Sequence, residues 1–571
     1  MKEEIQKFFK GEVEGSKKTI EKYSRDASIF EVRPKLVLFP EDTEDVKKIV
    51  KWVSENKDKY ADPKKNKDWK NLSITARCAG TDMSGGAIGE SLILDFTRNM
   101  NKLISFTKDR ITVQPGMFYR DFEKITLEKG LILPCYTASK SLNAMGGMFG
   151  NNSAGERTLK YGKTEDYVLE AKVVFSDGNE YIVKPLTQNE LMKKIAQPNL
   201  EGGVYKNIYN LINKNREEIK LAKPKVHKNS AGYYIWNVED PERTKRAEGY
   251  FDLNKLLVGS QGTLCIATEI TFKLVPNPKY SKLVVIFMND LEPLGRLVDE
   301  ILQFNPETLE AYDDKTMKLA VRFFPDFFKN KGFAGIIRFM QSFLPELKMM
   351  LTGGFPKLIL LAEFAGDNEV EVDKKCVKLQ ERIKYFKLKV HITESEEESN
   401  KYWDIRRESF SLLRKHVFGL HTAPFIDDII VRPEFLPKFI PELNRILKQY
   451  NLTYTIAGHA GDGNFHVIPL MDFSLPDTSK IIMELGGSVY NLVLKYHGSI
   501  TAEHNDGIIR TPYLEKMYGK DMIKIFKEIK NIFDPGNIFN PGKKVISGDG
   551  NGDKKYMVSH IALEHNIDHK V

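Results

Sequence analysis

Three times in its first half, this chain runs between an apolar strand pattern and a glycine-rich loop: RCAGTDMSGG at residues 77–86, GGMFGNNSAG at 146–155 and GSQGT at 259–263. Such runs are costly in chain entropy unless the backbone must turn sharply or approach something closely. Glycines and small residues let successive N–H groups converge on an anion, and Asn151, Asn152 and Ser153 add side-chain donors and acceptors. None of the loops is GxGxxG, and none ends in GK[ST], so a Rossmann dinucleotide site or a P-loop ATPase is disfavoured. Three loops beside three strands point to one elongated polar ligand held by backbone, for which a dinucleotide is a better match than a sugar phosphate. The competing reading is three unrelated turns.

At 571 residues the chain exceeds one compact core, and two or three domains are expected. Residues 1–28 read as a helical lead-in. A first α+β domain follows over 29–277, with VRPKLVLFP, LSITAR, SLILDFTR, DRITVQPG and YVLEAKVVFSDG as strands. PEDTEDVKKIVKWVSEN reads as a helix capped at Thr43. Lysine-rich residues 185–250 look like an insertion. Residues 278–495 alternate strands (KLVVIFM, KLILLAEFAG, LTYTIAGHAG) with helices, as an α+β cap with an antiparallel sheet would. Residues 496–546 return to the first domain, and 547–571 are expected to be a flexible tail.

Lysine plus arginine total 86 against 78 acids, a formal charge of +8. The charges are interspersed, so no nucleic-acid partner is expected. Cys78, Cys135, Cys265 and Cys376 form no CxxC pair, which gives no iron–sulfur site and fits a reducing compartment. The N-terminus lacks a signal-peptide core and no apolar run reaches a membrane span. The expectation is a cytoplasmic protein, with peripheral attachment to the inner face of a membrane left open.

GHAGDGNFHV, residues 458–467, interrupts an apolar strand with two histidines. A strand–turn–strand reading brings His459 and His466 back together across Gly461–Gly463. Converging imidazoles call for a shared partner: a metal, an anion or a carboxylate. A divalent ion needs a third ligand, for which Glu503 in TAEHNDG is the best distant candidate. Asp462 is placed to orient one imidazole. The plainer alternative is a histidine bonded to backbone in the core.

These motifs, in this order, resemble the FAD-binding PCMH-type domain of the vanillyl-alcohol oxidase superfamily. The C-terminal half resembles its FAD-linked oxidase branch, which includes glycolate oxidase and D-lactate dehydrogenase. The likeness spans residues 30–545 apart from the lysine-rich segment. It implies a two-domain α+β fold with non-covalent FAD held by Arg77, Ala79, Gly80, Thr81, Asp82, Ser84 and Gly85 of the first loop. Ser139, Gly146, Gly147, Asn151, Ser153 and Gly155 would follow the flavin, with Gly262 and Ile266 near its adenine or isoalloxazine end. Where the family usually reads RGGGT, Cys78 and Ala79 must turn their side chains away from the nest or open the loop. Where it reads GSEGT, this chain has Gln261.

HAGDGNFH is complete for the family's HxGDGNxH. The resemblance therefore implies a divalent metal (Zn, Mn or Fe) on His459, His466 and Glu503, with His504 as base. Asn505 stands where the family usually has glycine; it tolerates left-handed backbone but would narrow the pocket. WxxR matches Trp403 to Arg406, a substrate-carboxylate clamp, with Arg407 the alternative register. Phe425 and Ile426 stand where close relatives carry a lysine, which weakens any specific claim for lactate, glycolate or 2-hydroxyglutarate.

The implied reaction is oxidation of a 2-hydroxy acid, D-configured, to the keto acid. Electrons would leave for a quinone, an electron-transfer flavoprotein, oxygen or a separate iron–sulfur subunit. A homodimer is compatible with this reading. Two rivals stay open: oxidation of another alcohol or an alkyl-dihydroxyacetone-phosphate synthase reaction, and a non-catalytic flavin-binding partner subunit.

Overall fold

The alternating and helical patterns fold as two α+β units that share one long apolar core. The computed structural model describes residues 1–61, 71–239, 250–322, 356–416, 419–545 and 551–563. In the first unit, Leu36–Phe39, Leu92–Asp95 and Ile74–Arg77 pair in parallel. The first two are buried along their whole length, as strands covered on both faces must be. The lead-in is not wholly helical: Glu12–Glu14 adds an antiparallel edge strand to this sheet. The helix Thr43–Asn56 is capped by Asp42 rather than Thr43, because the Asp42 carboxylate lies one residue outside the first turn and accepts from the Asp45 N–H at 3.1 Å.

A second sheet is antiparallel, in the order Leu103–Thr107, Arg110–Val113, Ile266–Lys273, Val168–Val174 and Glu180–Val183. The expected hairpin at Asp177-Gly178 is present, with Gly178 at φ 75°. The third loop leads directly into the central strand of this sheet, Ile266–Lys273.

The cap is one antiparallel sheet. Its order is Lys389–Ile392, Tyr280–Met288, Leu358–Gly366, Thr308–Asp313, Thr453–His459, Asn464–Met471 and His421–Thr422, with Ile429–Ile430 also pairing to Asn464–Met471. Period-two alternation divides its faces. Val284, Ile286 and Met288 share a cluster with Leu297, Cys376 and Leu443 of the helices Leu294–Leu302, Glu369–Arg382 and Leu436–Lys448. Leu283, Val285 and Phe287 face the other way, with Tyr402, Trp403 and Ile405 of the helix Glu396–His416.

Within residues 185–250, the helices Gln188–Ile195, Leu200–Lys214 and Arg216–Ala222 bury Leu191, Val204, Tyr205, Ile208 and Ile219 in the main core. The last two of these helices pack against Leu514–Phe533. The chain then returns to its own beginning. The Ile74 N–H donates to the Ile538 carbonyl at 2.7 Å, and the Asn540 N–H donates to the Ile74 carbonyl at 2.8 Å. The tail departs from expectation: Asn551–Ser559 is helical and packs against residues 507–513, Ile561 bridges to Phe30, and Met557 and Ile561 are buried in the main core. Among the described residues, no helix is long and apolar enough to cross a membrane.

Candidate functional site

The first glycine loop is organised by Asp82. Its Oδ2 accepts from the Ser84 N–H (3.1 Å), the Ser84 hydroxyl (2.8 Å) and the Gly86 N–H (2.6 Å), and its Oδ1 accepts from the Asn151 amide at 3.0 Å. One buried carboxylate thus ties the first loop to the second. Gln261, at φ 51°, adds the third: its amide donates to the Ser84 hydroxyl at 3.0 Å, and its carbonyl accepts from the Gly507 N–H at 2.8 Å. Arg77 folds over its own loop, with its guanidinium against Gly80 and over the Tyr23 ring. The Cys78 thiol points to the Pro115 carbonyl (3.4 Å) and Gly146, so this side chain is turned towards packing. Gly85 packs against Phe30 and Ile508.

The second loop is a short helix, Met145–Asn151, with one open side. A Cβ on Gly147 would meet no atom within 4 Å, and one on Gly150 only the Gln261 Cα at 3.9 Å. These positions are three apart and share a face. By contrast, a Cβ on Gly155 would lie 2.0 Å from the Tyr136 carbonyl oxygen, and one on Gly146 2.6 Å from Pro115. The glycines therefore divide into those that close the fold and those that leave a cradle, and the cradle fits a flat ring system lying along backbone. Ser139 bonds the Thr137 hydroxyl at 2.9 Å, and the Ser153 carbonyl accepts from Thr164. Gly262 has φ 65°, whereas the Ile266 side chain is buried with Val174 and Ile538 in the core.

The hairpin of Thr453–His459 and Asn464–Met471 forms as the GDG spacing predicts, with Gly463 at φ 74°. His459 and His466 meet with ring centroids 5.3 Å apart. Asp428 places the distant third group: its Oδ2 accepts from the Ala502, Glu503 and His504 N–H groups at 2.7–2.8 Å and from the Thr501 hydroxyl at 2.6 Å. Asn464 of the hairpin donates to its other oxygen at 3.0 Å, so one acid locks both halves of the site together.

Glu503 Oε1 then lies 3.2 Å from His459 Nε2, 3.3 Å from His466 Nε2 and 3.9 Å from His504 Nε2. The opposite ring nitrogens face other carboxylates. His459 Nδ1 is 2.6 Å from Glu310, His466 Nδ1 is 3.0 Å from Asp427 Oδ1, and His504 Nδ1 is 2.8 Å from Asp427 Oδ2, a close contact that is not aligned as a hydrogen bond. The His466 and His504 rings stack, with centroids 5.1 Å apart. Ionised carboxylates only accept, so the Nδ1 atoms of His459 and His466 carry hydrogen, and all three Nε2 atoms turn towards Glu503. An inward Nε2 backed by an acid is the donor arrangement of a histidine metal site. The ligand atoms of His459, His466 and Glu503 lie within 4.8 Å of one another, and those of Asp427, His466 and His504 likewise. These residues fit a divalent cation.

Without a cation, the same geometry holds protons. Burial would lower the His466 imidazole, but Asp427 and then Glu503 outweigh it and push it up to about 10. His459 is raised against burial, chiefly by Glu310, and His504 against burial by Asp427 and Asp428. Burial would also raise Asp427 and Glu503, yet both are held below the ordinary carboxylate range, Asp427 by His504 and His466 and Glu503 by Lys228 and His459. A cation and protons therefore compete for the same nitrogens.

The flavin-side loops and this cluster meet at Asn505. It adopts φ 67°, and its amide donates to the Asn151 carbonyl (3.2 Å) and the Gly259 carbonyl (2.9 Å). The expected narrowing residue thus serves as a tie between the second and third loops, directly beside His504. Arg406 also belongs to the cluster, because its guanidinium contacts Glu310 at 3.1 Å, the acid that holds His459. Arg407 lies apart on Glu156 at 2.8 Å and over the Trp403 ring.

Four residues here were not foreseen as site residues: Glu310, Asp427, Asp428 and Lys228. Asp462, expected to orient a ligand histidine, instead pairs with His227 and with Lys228 at 3.1 Å.

Comparison with known proteins agrees with this architecture. Residues 34–183 match the FAD binding domain and residues 277–544 match the C-terminal domain of FAD linked oxidases. A D-2-hydroxyglutarate dehydrogenase of Pseudomonas putida is 25% identical over 99% of this chain and 53% of its own length. The glycolate oxidase subunit GlcD of Bacillus subtilis is 27% identical over 91% of each. The chain spans about half the length of the first curated relatives it matches. A p-cresol methylhydroxylase structure shares the fold, with a TM-score of 0.64 at 16% identity over 93% of each chain. The fold and loops define a two-domain FAD-binding PCMH-type flavoprotein with an FAD-linked oxidase C-terminal domain. Within that class, the chain is related to the D-lactate, glycolate and 2-hydroxyglutarate dehydrogenase family.

Proposed function

We propose that this chain is an FAD-dependent dehydrogenase that oxidises a D-2-hydroxy acid to the 2-keto acid and passes the electrons to an external acceptor. The observation that carries this reading is the gathering of His459, His466, Glu503 and His504, tied through the neighbouring Asn505 to the C-terminal end of the Met145–Asn151 helix. The names of the relatives, D-2-hydroxyglutarate dehydrogenase and glycolate oxidase subunit, support the substrate class and the handedness.

Bound FAD supplies a two-electron acceptor for the C2 hydrogen. A divalent cation on His459, His466 and Glu503 supplies Lewis acidity towards the substrate oxygens. His504 receives the hydroxyl proton at Nε2, while Asp427 holds its Nδ1 and stabilises the imidazolium that results. Arg406, placed by Glu310 next to His459, is the guanidinium proposed to face the substrate carboxylate. Quinone, electron-transfer flavoprotein, oxygen and a separate iron–sulfur subunit are the candidates.

The test is anaerobic mixing of the purified FAD-bound protein with paired D- and L-2-hydroxy acids. Loss of the flavin band near ~450 nm, a property of the cofactor, with D-acids alone is the expected result. No bleaching across the panel, with or without added Zn²⁺ or Mn²⁺, would overturn the proposal.

A further inference from the structure

Lys228 stands in a short segment, residues 227–232, that reaches the site from the lysine-rich region. Its side chain is fully buried. Burying an ammonium is costly unless every proton finds an acceptor, and here three do. The Nζ donates to the Gly155 carbonyl at 3.4 Å and to Glu503 Oε2 at 3.3 Å, and it lies 3.1 Å from Asp462 Oδ2. Asp462 is pinned in turn by His227. The two oxygens of Glu503 are thereby divided: Oε1 faces both ligand imidazoles, and Oε2 faces the ammonium.

That division has a consequence for coordination. A carboxylate free to turn can bind a cation through both oxygens. Two imidazoles and a chelating carboxylate would give four protein donors, the number that closes a structural zinc site. With Oε2 held by an ammonium, the protein offers three donors, as catalytic sites do when they keep a position open. A 2-hydroxy acid presents its carboxylate and hydroxyl oxygens together and needs adjacent vacancies.

We propose that Lys228 is a positioning residue that restricts Glu503 to a single ligating oxygen, so that the cation keeps coordination positions free for the substrate. The proposal rests on the metal reading above. The anchor is built into the hairpin itself, because Asp462, which holds Lys228 from the other side, lies in the turn between the two ligand histidines.

Water-proton relaxation of the FAD-bound full chain titrated with Mn²⁺ counts the exchangeable waters on the bound ion. An octahedral ion with three protein donors keeps three waters and one with four keeps two, so Lys228→Met should lower the relaxivity per bound Mn²⁺ by about one third. Lys228→Arg, which can still hold Oε2, should restore it. Asp462→Asn, which loosens the ammonium without removing it, should give an intermediate value and serves if Lys228→Met fails to fold. A merely structural lysine would alter flavin content or thermal stability in Lys228→Met while leaving the relaxivity at the wild-type value, and that result would overturn the proposal alone. A wild-type protein that binds no Mn²⁺ would overturn the metal reading and this proposal with it.

Discussion

Competition between protons and a cation at His466 gives a quantity that can be worked out in advance. In the cation-free protein, burial opposes the charge, but Asp427 and Glu503 hold His466 protonated up to about pH 10. Coordination through Nε2 must expel that proton. Below the imidazole's pKa, each unit of pH then changes the apparent affinity about tenfold, or about 1.4 kcal/mol. The sign follows: a raised pKa penalises metal binding at low pH, and the penalty shrinks as pH rises towards it. From about pH 6.5 to about pH 8.5, His466 alone should tighten Zn²⁺ binding by about 100-fold, or about 2.7 kcal/mol. His459, also raised, adds to the slope wherever it too is protonated. Chelator-competition titrations of FAD-bound protein measure the affinity, and calorimetry in two buffers of different ionisation enthalpy counts the protons released. At least one proton per ion is expected. An affinity that is flat over this range, with no proton released, would refute the placement of His466 Nε2 on the cation.

Replacing His504 by Ala should slow flavin reduction by roughly 10²–10⁴-fold, the usual weight of a positioned base, with FAD still bound in the absorption spectrum. Asp427→Asn keeps the shape but removes the negative charge that lies beside the Nδ1 atoms of His466 and His504; stopped-flow reduction should fall by roughly 10–100-fold. The glycines give opposite outcomes. Gly155→Ala drives a methyl into the Tyr136 carbonyl and should lower the melting temperature, whereas Gly147→Val should leave folding intact and weaken FAD retention, read by flavin fluorescence after gel filtration.

Much of the architecture was legible because it is local. The hairpin at residues 453–471 follows from apolar alternation on both sides of a glycine-rich turn, and the cap strands and helices follow from their periodicity. The histidine pair was legible for the same reason. Glu310, Asp427 and Lys228 were not, because each acts only through residues far along the chain: Glu310 meets His459 across 149 positions, and Lys228 meets Glu503 across 275. A trace of the two acids was nonetheless present. Glu310 is an acid in a strand buried throughout, Asp427 is half of an acid pair in an apolar run, and such groups in such places need partners. The tail was misread because Met557 and Ile561 are too few to make a pattern, and the bridge that fixes Ile561 is to Phe30, near the opposite end of the sequence.

The segment around Asn540 carries a consequence for biogenesis. It pairs with Ile74, accepts from the Thr75 hydroxyl across a separation of 465 residues, and donates to the Gly86 and Gln261 carbonyls. A ribosome must therefore deliver the chain as far as residue 540 before the strand Ile74–Arg77 acquires its last neighbour. Contacts this remote make for slow maturation. A newly made chain will pass through a stage in which the cap is complete and the cradle is still unfinished.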